Sequence, residues 1–266
     1  MIKWRLMLTT LPFVLAALAI KVALRFGFGF EGLVEFSDVG VVLTGAVFLI
    51  GFMLGGTMAD YKESEKLPGE LACALEALEE QFLHASVALS AQGSEALRSA
   101  DIHARVLELT STLRAWLVHN QTQKEVLDAI TAMQELVFVA ERAGASSQAG
   151  RALMELQNIR RAVTRIGVIS RTGFLASGYA LLDTLVVLSI SVLFVAKFKS
   201  TVGEIILVPF VTLIFVYMVR LIRDVDDPFS YGPDGSRGAA EVELTPLNDY
   251  HARMAERGIT DRSAPR

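Results

Sequence analysis

Four long apolar runs punctuate the chain. Leu6 to Leu24 and Val39 to Ala59 precede a charged middle, and Thr172 to Ala196 and Ile205 to Val219 follow it. A bilayer core is about 30 Å thick, so a spanning helix needs about 20 mostly apolar residues. Val39–Ala59 holds no charged residue, and Thr172–Ala196 holds only Asp183. The pattern predicts an all-α integral membrane protein with two spans on either side of a helical middle. The opening Met1-Ile2-Lys3-Trp4-Arg5 looks like the start of a signal peptide. The run after it is long and carries Lys21 and Arg25 at its far end, so it reads as a retained span.

The middle changes period. Leu71, Leu75, Leu78, Phe82 and Leu89 recur at helical spacing, then Gln92-Gly93-Ser94 breaks the pattern, with Ser94 as the expected cap of the next helix. Ala96–His119 repeats the spacing through Leu97, Ile102, Val106, Leu109 and Leu113, with a break expected near Asn120. Val126–Ala143 reads as one helix, and a last one runs from Gln148 towards Arg171. Pro68 suits a first helical turn. The expected organisation is membrane helices over 1–60, a cytosolic helical bundle over 61–171, membrane helices over 172–222 and an acidic tail over 223–266. In that tail the Pro-Phe and Leu-x-Pro-Leu pieces suggest docking points, a solvated tail being the other reading, and the last dozen residues are expected to be mobile.

Charge sets an orientation. Lys3, Arg5, Lys62, Lys66, Arg165, Arg171, Arg220 and Arg223 fall on one side of the four spans, and Arg25, Lys197 and Lys199 on the other. The positive-inside rule then places both termini and the middle in the cytoplasm; a bacterial inner membrane is the expected setting. The connector Phe26–Asp38 has three glycines, three acids and phenylalanines at 26, 28, 30 and 36, and it suits an interfacial loop.

Composition removes function classes. The chain has 266 residues, 52% hydrophobic, with a net charge of −4 and no basic run of the kind that binds nucleic acid. Its single cysteine, Cys73, excludes an intrachain disulfide and reads as a small buried apolar residue. The histidines at 84, 103, 119 and 251 have no metal-ligand spacing, and no nucleophile elbow, Walker loop or dinucleotide fingerprint occurs. No cofactor or metal is expected, and an enzyme is disfavoured.

Two places inside the spans carry candidate function. Phe48 and Phe52 are one helical turn apart on the second run, with Thr44 and Gly56 on the same face. They suit either a hydrophobic constriction that gates by dewetting or ordinary lipid-facing and core packing. Glu35 and Asp38 before this run, and Asp60, Glu63 and Glu65 after it, would ring the two mouths of a pore. Gly51 and Gly55 form a small-xxx-small pair that lets helix backbones approach closely. Asp183, deep in the third run, needs a partner, a cavity or water. Either it makes a helix-to-helix hydrogen bond, with Thr184 and Ser189 nearby, or it has a pore or ion-contact role, and Lys21 is a candidate counter-ion.

The organisation resembles the bestrophin and bestrophin-like membrane proteins, as a distant branch close to an uncharacterised bacterial and plant group. Two patches carry the resemblance: FLIGFMLGGTMADYKESEKLPGE from Phe48 to Glu70, and LIRDVDDPFSYG from Leu221 to Gly232 followed by EVELTPL from Glu241 to Leu247. The chain departs at Leu54-Gly55-Gly56-Thr57, where bestrophins usually have Phe-Arg-x-Asn, and at Ser230, where they have glycine. The resemblance implies a pentameric ion channel, commonly anion-selective, whose second span supplies a neck of bulky apolar residues. Carried over, Phe48 and Phe52 become neck candidates. Asp224, Asp226 and Asp227 match the calcium-binding segment of animal members in kind only, so no metal is expected. The expected function is passive conduction of ions, chloride foremost, by a homo-oligomer. A non-conducting membrane-anchored scaffold and a small secondary transporter are the alternatives.

Overall fold

The computed structural model describes residues 2–118, 121–171, 176–232, 236–238 and 240–263. The break expected near Asn120, His119 and the first residues of the third run (Thr172 to Leu175) lie outside them. The described residues form ten α-helices and a pair of two-residue strands. They divide into two compact units.

The membrane unit holds α1 (Ile2–Val22), α2 (Phe36–Ser64, up to Tyr61), α8 (Ala176–Val195) and α9 (Thr201–Asp226). All four are long and apolar enough to cross a bilayer. In lipid such helices associate by close packing, because apolar contact with a neighbour replaces apolar contact with acyl chains. Here α1 packs on α9 and α8 on α9. The buried core joins Val39, Leu43, Ala46, Ile50 and Met53 of α2 to Leu182 and Leu193 of α8 and Val208, Phe215 and Ile222 of α9.

The connector after α1 is more ordered than an interfacial loop. The first helix continues as a π-helical turn, Ala23–Gly27. Val34–Glu35 (β1) then pairs in parallel with Ala196–Lys197 (β2). Gly32 makes this possible. It sits at φ +101°, and a Cβ there would come within 2.8 Å of Ala196 backbone atoms.

The second unit contains α3 (Leu67–Ser90), α4 (Ser99–Leu117), α5 (Gln123–Ala132), α6 (Gln134–Arg142), α7 (Ser146–Arg171) and α10 (Thr245–Ser263). The periodic residues do what their spacing predicts: Leu71, Leu75, Leu78, Phe82, Ile102, Val106 and Leu113 are buried. Pro68 lies in the first turn of α3. The N-terminus of α5 closes with a capping box: the Glu125 N–H donates to Thr122 Oγ1 at 3.3 Å, and the Thr122 N–H donates to Glu125 Oε2 at 2.6 Å.

Three local expectations are corrected. Ser94 does not cap α4. Its N–H donates to the Leu89 carbonyl, closing the end of α3 around Gly93 at φ +79°, and Arg98 is the N-cap residue of α4. The helix expected over Val126–Ala143 is two helices, because the Leu136 N–H donates to the Met133 carbonyl in a tight three-residue turn. Cys73 is exposed.

Most of the segment expected as a tail, from Phe229 on apart from Gly238–Ala240, is built into this second unit. Phe229, Tyr231 and Val242 are buried, and the Tyr231 hydroxyl donates to the Val242 carbonyl at 2.7 Å. Leu247, Tyr250 and Met254 bury one face of α10 against α3 and α4. The last dozen residues are helical as far as Ser263.

Candidate functional site

α2 has two faces. One carries Val39, Leu43, Ala46, Ile50, Met53 and Thr57, all buried within the chain. The opposite face carries Thr44, Phe48, Phe52 and Gly56. Phe48 is 73% and Phe52 77% exposed, and Thr44 and Gly56 are exposed too. The helix that is covered on one side is bare on the other, and Phe48 and Phe52 project from the bare side.

The glycines sharpen this asymmetry. A Cβ added at Gly45, Gly51, Gly55 or Gly56 would meet nothing within 4 Å. These residues are therefore not small to fit their own chain. They cost helix propensity, and they leave a strip where another backbone can come close. The Thr44 hydroxyl donates to the Gly40 carbonyl at 2.8 Å, so its polarity is largely spent on its own helix.

The acids at the two ends of α2 differ in their surroundings. Asp38 is exposed in the first turn, where the helix dipole favours a negative charge. Glu35 is exposed on β1 and accepts a hydrogen bond from the Ser37 hydroxyl at 3.3 Å. Beyond the apolar run, Asp60 is exposed. Glu63 in the last turn accepts from Arg165 Nε and Nη2, one on each carboxylate oxygen, at 2.7 and 2.6 Å. That hydrogen-bonded partner holds its carboxyl below the ordinary carboxylate value despite some desolvation. Glu63 is thus an ionised acid whose charge is matched by Arg165.

Asp183 and Lys21 are corrected. Asp183 does not bond to Thr184, whose hydroxyl donates to the Ala180 carbonyl. It accepts two hydrogen bonds from Arg223 Nη2, at 2.6 and 2.7 Å, and is half exposed. Arg223 lies in the last turn of α9, so this pair sits towards one end of the spans. Lys21 is not its counter-ion. Lys21 is 2% exposed and donates to the carbonyls of Phe194 and Ala196, both at 2.9 Å. It also pairs at 3.2 Å with Glu204, a buried acid in the first turn of α9 that Arg25 bonds as well.

Sequence reasoning passed over Glu204 because it stands one residue outside the fourth apolar run. The available signal was the i, i+4 spacing of Lys21 and Arg25, which puts two cations on one helical face at a membrane end. Among the described residues no group of three or more His, Cys, Asp or Glu could hold a metal ion.

No protein-family profile matches the chain, and no curated protein sequence matches it. Solved structures do. A bacterial bestrophin homologue from Klebsiella pneumoniae aligns with TM-score 0.73 at 13% identity, covering 96% of this chain and 98% of the other. Two single-substitution variants of that homologue align with TM-scores of 0.72 and 0.69 at 13% and 14% identity. They cover 94% and 98% of this chain and 98% and 100% of theirs. At such identity the likeness is one of fold, and it spans nearly the whole chain: the protein has the bestrophin fold.

Proposed function

We propose that the protein is a bestrophin-like homo-oligomeric channel, a pentamer, that conducts ions passively along an axis lined by the bare face of α2. The observation that carries this reading is the division of α2 into a face buried on its own chain and a face of unfilled glycines and projecting phenylalanines. A monomer in lipid has little use for that glycine strip, whereas copies arranged around an axis use it to approach one another. Phe48 and Phe52 then form successive apolar rings, a neck too dry to hold ions unless it widens. The neighbouring bestrophin fold supports the same arrangement.

Anions, chloride foremost, are the proposed cargo. Pairing of Glu63 with Arg165 removes one of the acids that would otherwise favour cations at the mouth beyond α2, and Asp183 is likewise matched by Arg223. The proposed setting is a bacterial inner membrane, and the excess of Lys and Arg on one side of the spans supports cytoplasmic termini. Asp38 and Asp60 remain the mouth residues of this proposal, with Glu35 turned instead towards a cavity beside Phe36 and Lys199.

Purified protein reconstituted in liposomes tests it. A ring-shaped oligomer with chloride flux is expected, and Phe48→Ala with Phe52→Ala should raise flux severalfold by removing the dewetted constriction. Unchanged flux in that variant would sink the neck assignment. A monomer or dimer without flux would favour the scaffold alternative.

A further inference from the structure

At the end of the membrane unit where α1 and α8 finish and α2 and α9 begin lies a cavity of about 400 Å³. That volume is within the range of roughly 300–1,000 Å³ usual for small-ligand sites. Its apolar wall is Phe36 stacked on Phe198, with centroids 4.9 Å apart, together with Leu207. The buried Lys21 ammonium supports the Phe198 ring 5.3 Å from its centroid. The polar wall is Glu35, Lys197 and Lys199.

The charges on that wall are unequally committed. Lys197 pairs with Glu31 at 3.7 Å. Glu35 has a single weak hydroxyl contact, from Ser37. Lys199 is exposed and makes no ion pair among the described residues. The cavity therefore presents one cation and one anion, both available, beside an aromatic wall. Phe210, 57% exposed, lies one helical turn beyond the lining residue Leu207 and two beyond Gly203 on the same side of α9. It continues the site as an apolar track along a membrane helix.

We propose that this cavity binds the headgroup of a phosphoethanolamine lipid. The phosphate faces Lys199 and Lys197, the primary ammonium faces Glu35, and an acyl chain lies along Leu207 and Phe210. A phosphoglycerol headgroup brings an anion for the lysines and nothing for Glu35. A trimethylammonium headgroup has no N–H with which to make a charge-assisted hydrogen bond to the carboxylate. The apolar track is what selects a lipid over a free zwitterion. The site stands whether or not the protein conducts.

Native mass spectrometry of the detergent-purified full chain tests this, titrating phosphatidylethanolamine, phosphatidylglycerol and phosphatidylcholine of matched acyl chains. Phosphatidylethanolamine should bind about tenfold more tightly than the other two, the worth of one extra charge-assisted contact. Lys199→Ala should weaken it by a similar factor, and Glu35→Gln should abolish its advantage over phosphatidylglycerol. Both side chains are exposed, so unchanged melting temperatures would separate lost binding from lost folding. Equal binding of the three lipids, or an undiminished preference in Glu35→Gln, would overturn the proposal. So would free phosphoethanolamine raising the melting temperature while the lipid fails to compete, which would make the cavity a site for a soluble zwitterion.

Discussion

Glu204 is the residue whose loss should damage the membrane unit most. It is 4% exposed and accepts from both Lys21 and Arg25, while Lys21 also holds the carbonyls of Phe194 and Ala196 at the end of α8. One carboxylate thus ties the ends of three spans. Glu204→Gln would leave two cations without a counter-charge. The side chain of Arg25 is 28% exposed and can turn to water, but that of Lys21 is 3% exposed and cannot. Breaking one partner of a buried pair costs about 3–5 kcal/mol, and this case should fall in that range. Lys21→Met leaves Glu204 with Arg25, so its cost should be smaller. Two carbonyl hydrogen bonds at about 1 kcal/mol each, plus part of the ion pair, give roughly 2–3 kcal/mol. The double variant should cost about 1–3 kcal/mol less than the sum of the two, because the second change removes the charge stranded by the first. Detergent-to-SDS unfolding titrations of the four proteins, followed by circular dichroism, measure this. A Glu204→Gln protein within about 0.5 kcal/mol of wild type, or strict additivity in the double variant, would refute the reasoning.

Two further outcomes are expected. Gly32→Ala should destabilise the membrane unit by about 2 kcal/mol or more, since it meets both a left-handed φ and backbone atoms at 2.7–2.8 Å; an unshifted melting temperature would show that β1 and β2 need not touch. His251 of α10 donates to or accepts from Ser111 at 3.1 Å and lies 3.0 Å from Arg114 Nη1, with Asn248 on the same guanidinium. Burial first, then the Arg114 charge, push its imidazole below the ordinary value of 6.5. The folded state therefore favours neutral imidazole, and the unfolded chain binds more protons just below pH 6.5. Stability should be full above that pH and fall as pH drops beneath it. His251→Gln should flatten this part of the melting-temperature profile, and an unchanged profile would exclude His251 as its source.

The spans and the helical middle were legible because each rests on local statistics. Twenty apolar residues have few alternatives to a membrane helix, and the repeat of Leu71, Leu75, Leu78 and Phe82 has one face to bury. The bestrophin resemblance, read from two short patches, agrees with a fold likeness over 96% of the chain. The turn at Met133 was not legible, since Val126–Ala143 keeps a continuous apolar period across it. The exposure of Cys73 depends on which face of α3 its neighbours cover. The pairing of charged residues was illegible for a different reason: Asp183 and Arg223 are 40 positions apart, and Lys21 and Glu204 183 apart.

What the sequence by itself determined is therefore everything set by composition and period within one helix: that the chain enters a bilayer four times, that its middle is helical, and that α2 carries glycines and phenylalanines on one face. Which face of α2 is covered, which acid is matched by a cation, and which carboxylate joins α1 to α9 were decided only by tertiary structure. Those outcomes depend on contacts between segments far apart in the chain, and hydropathy carries no information about partners.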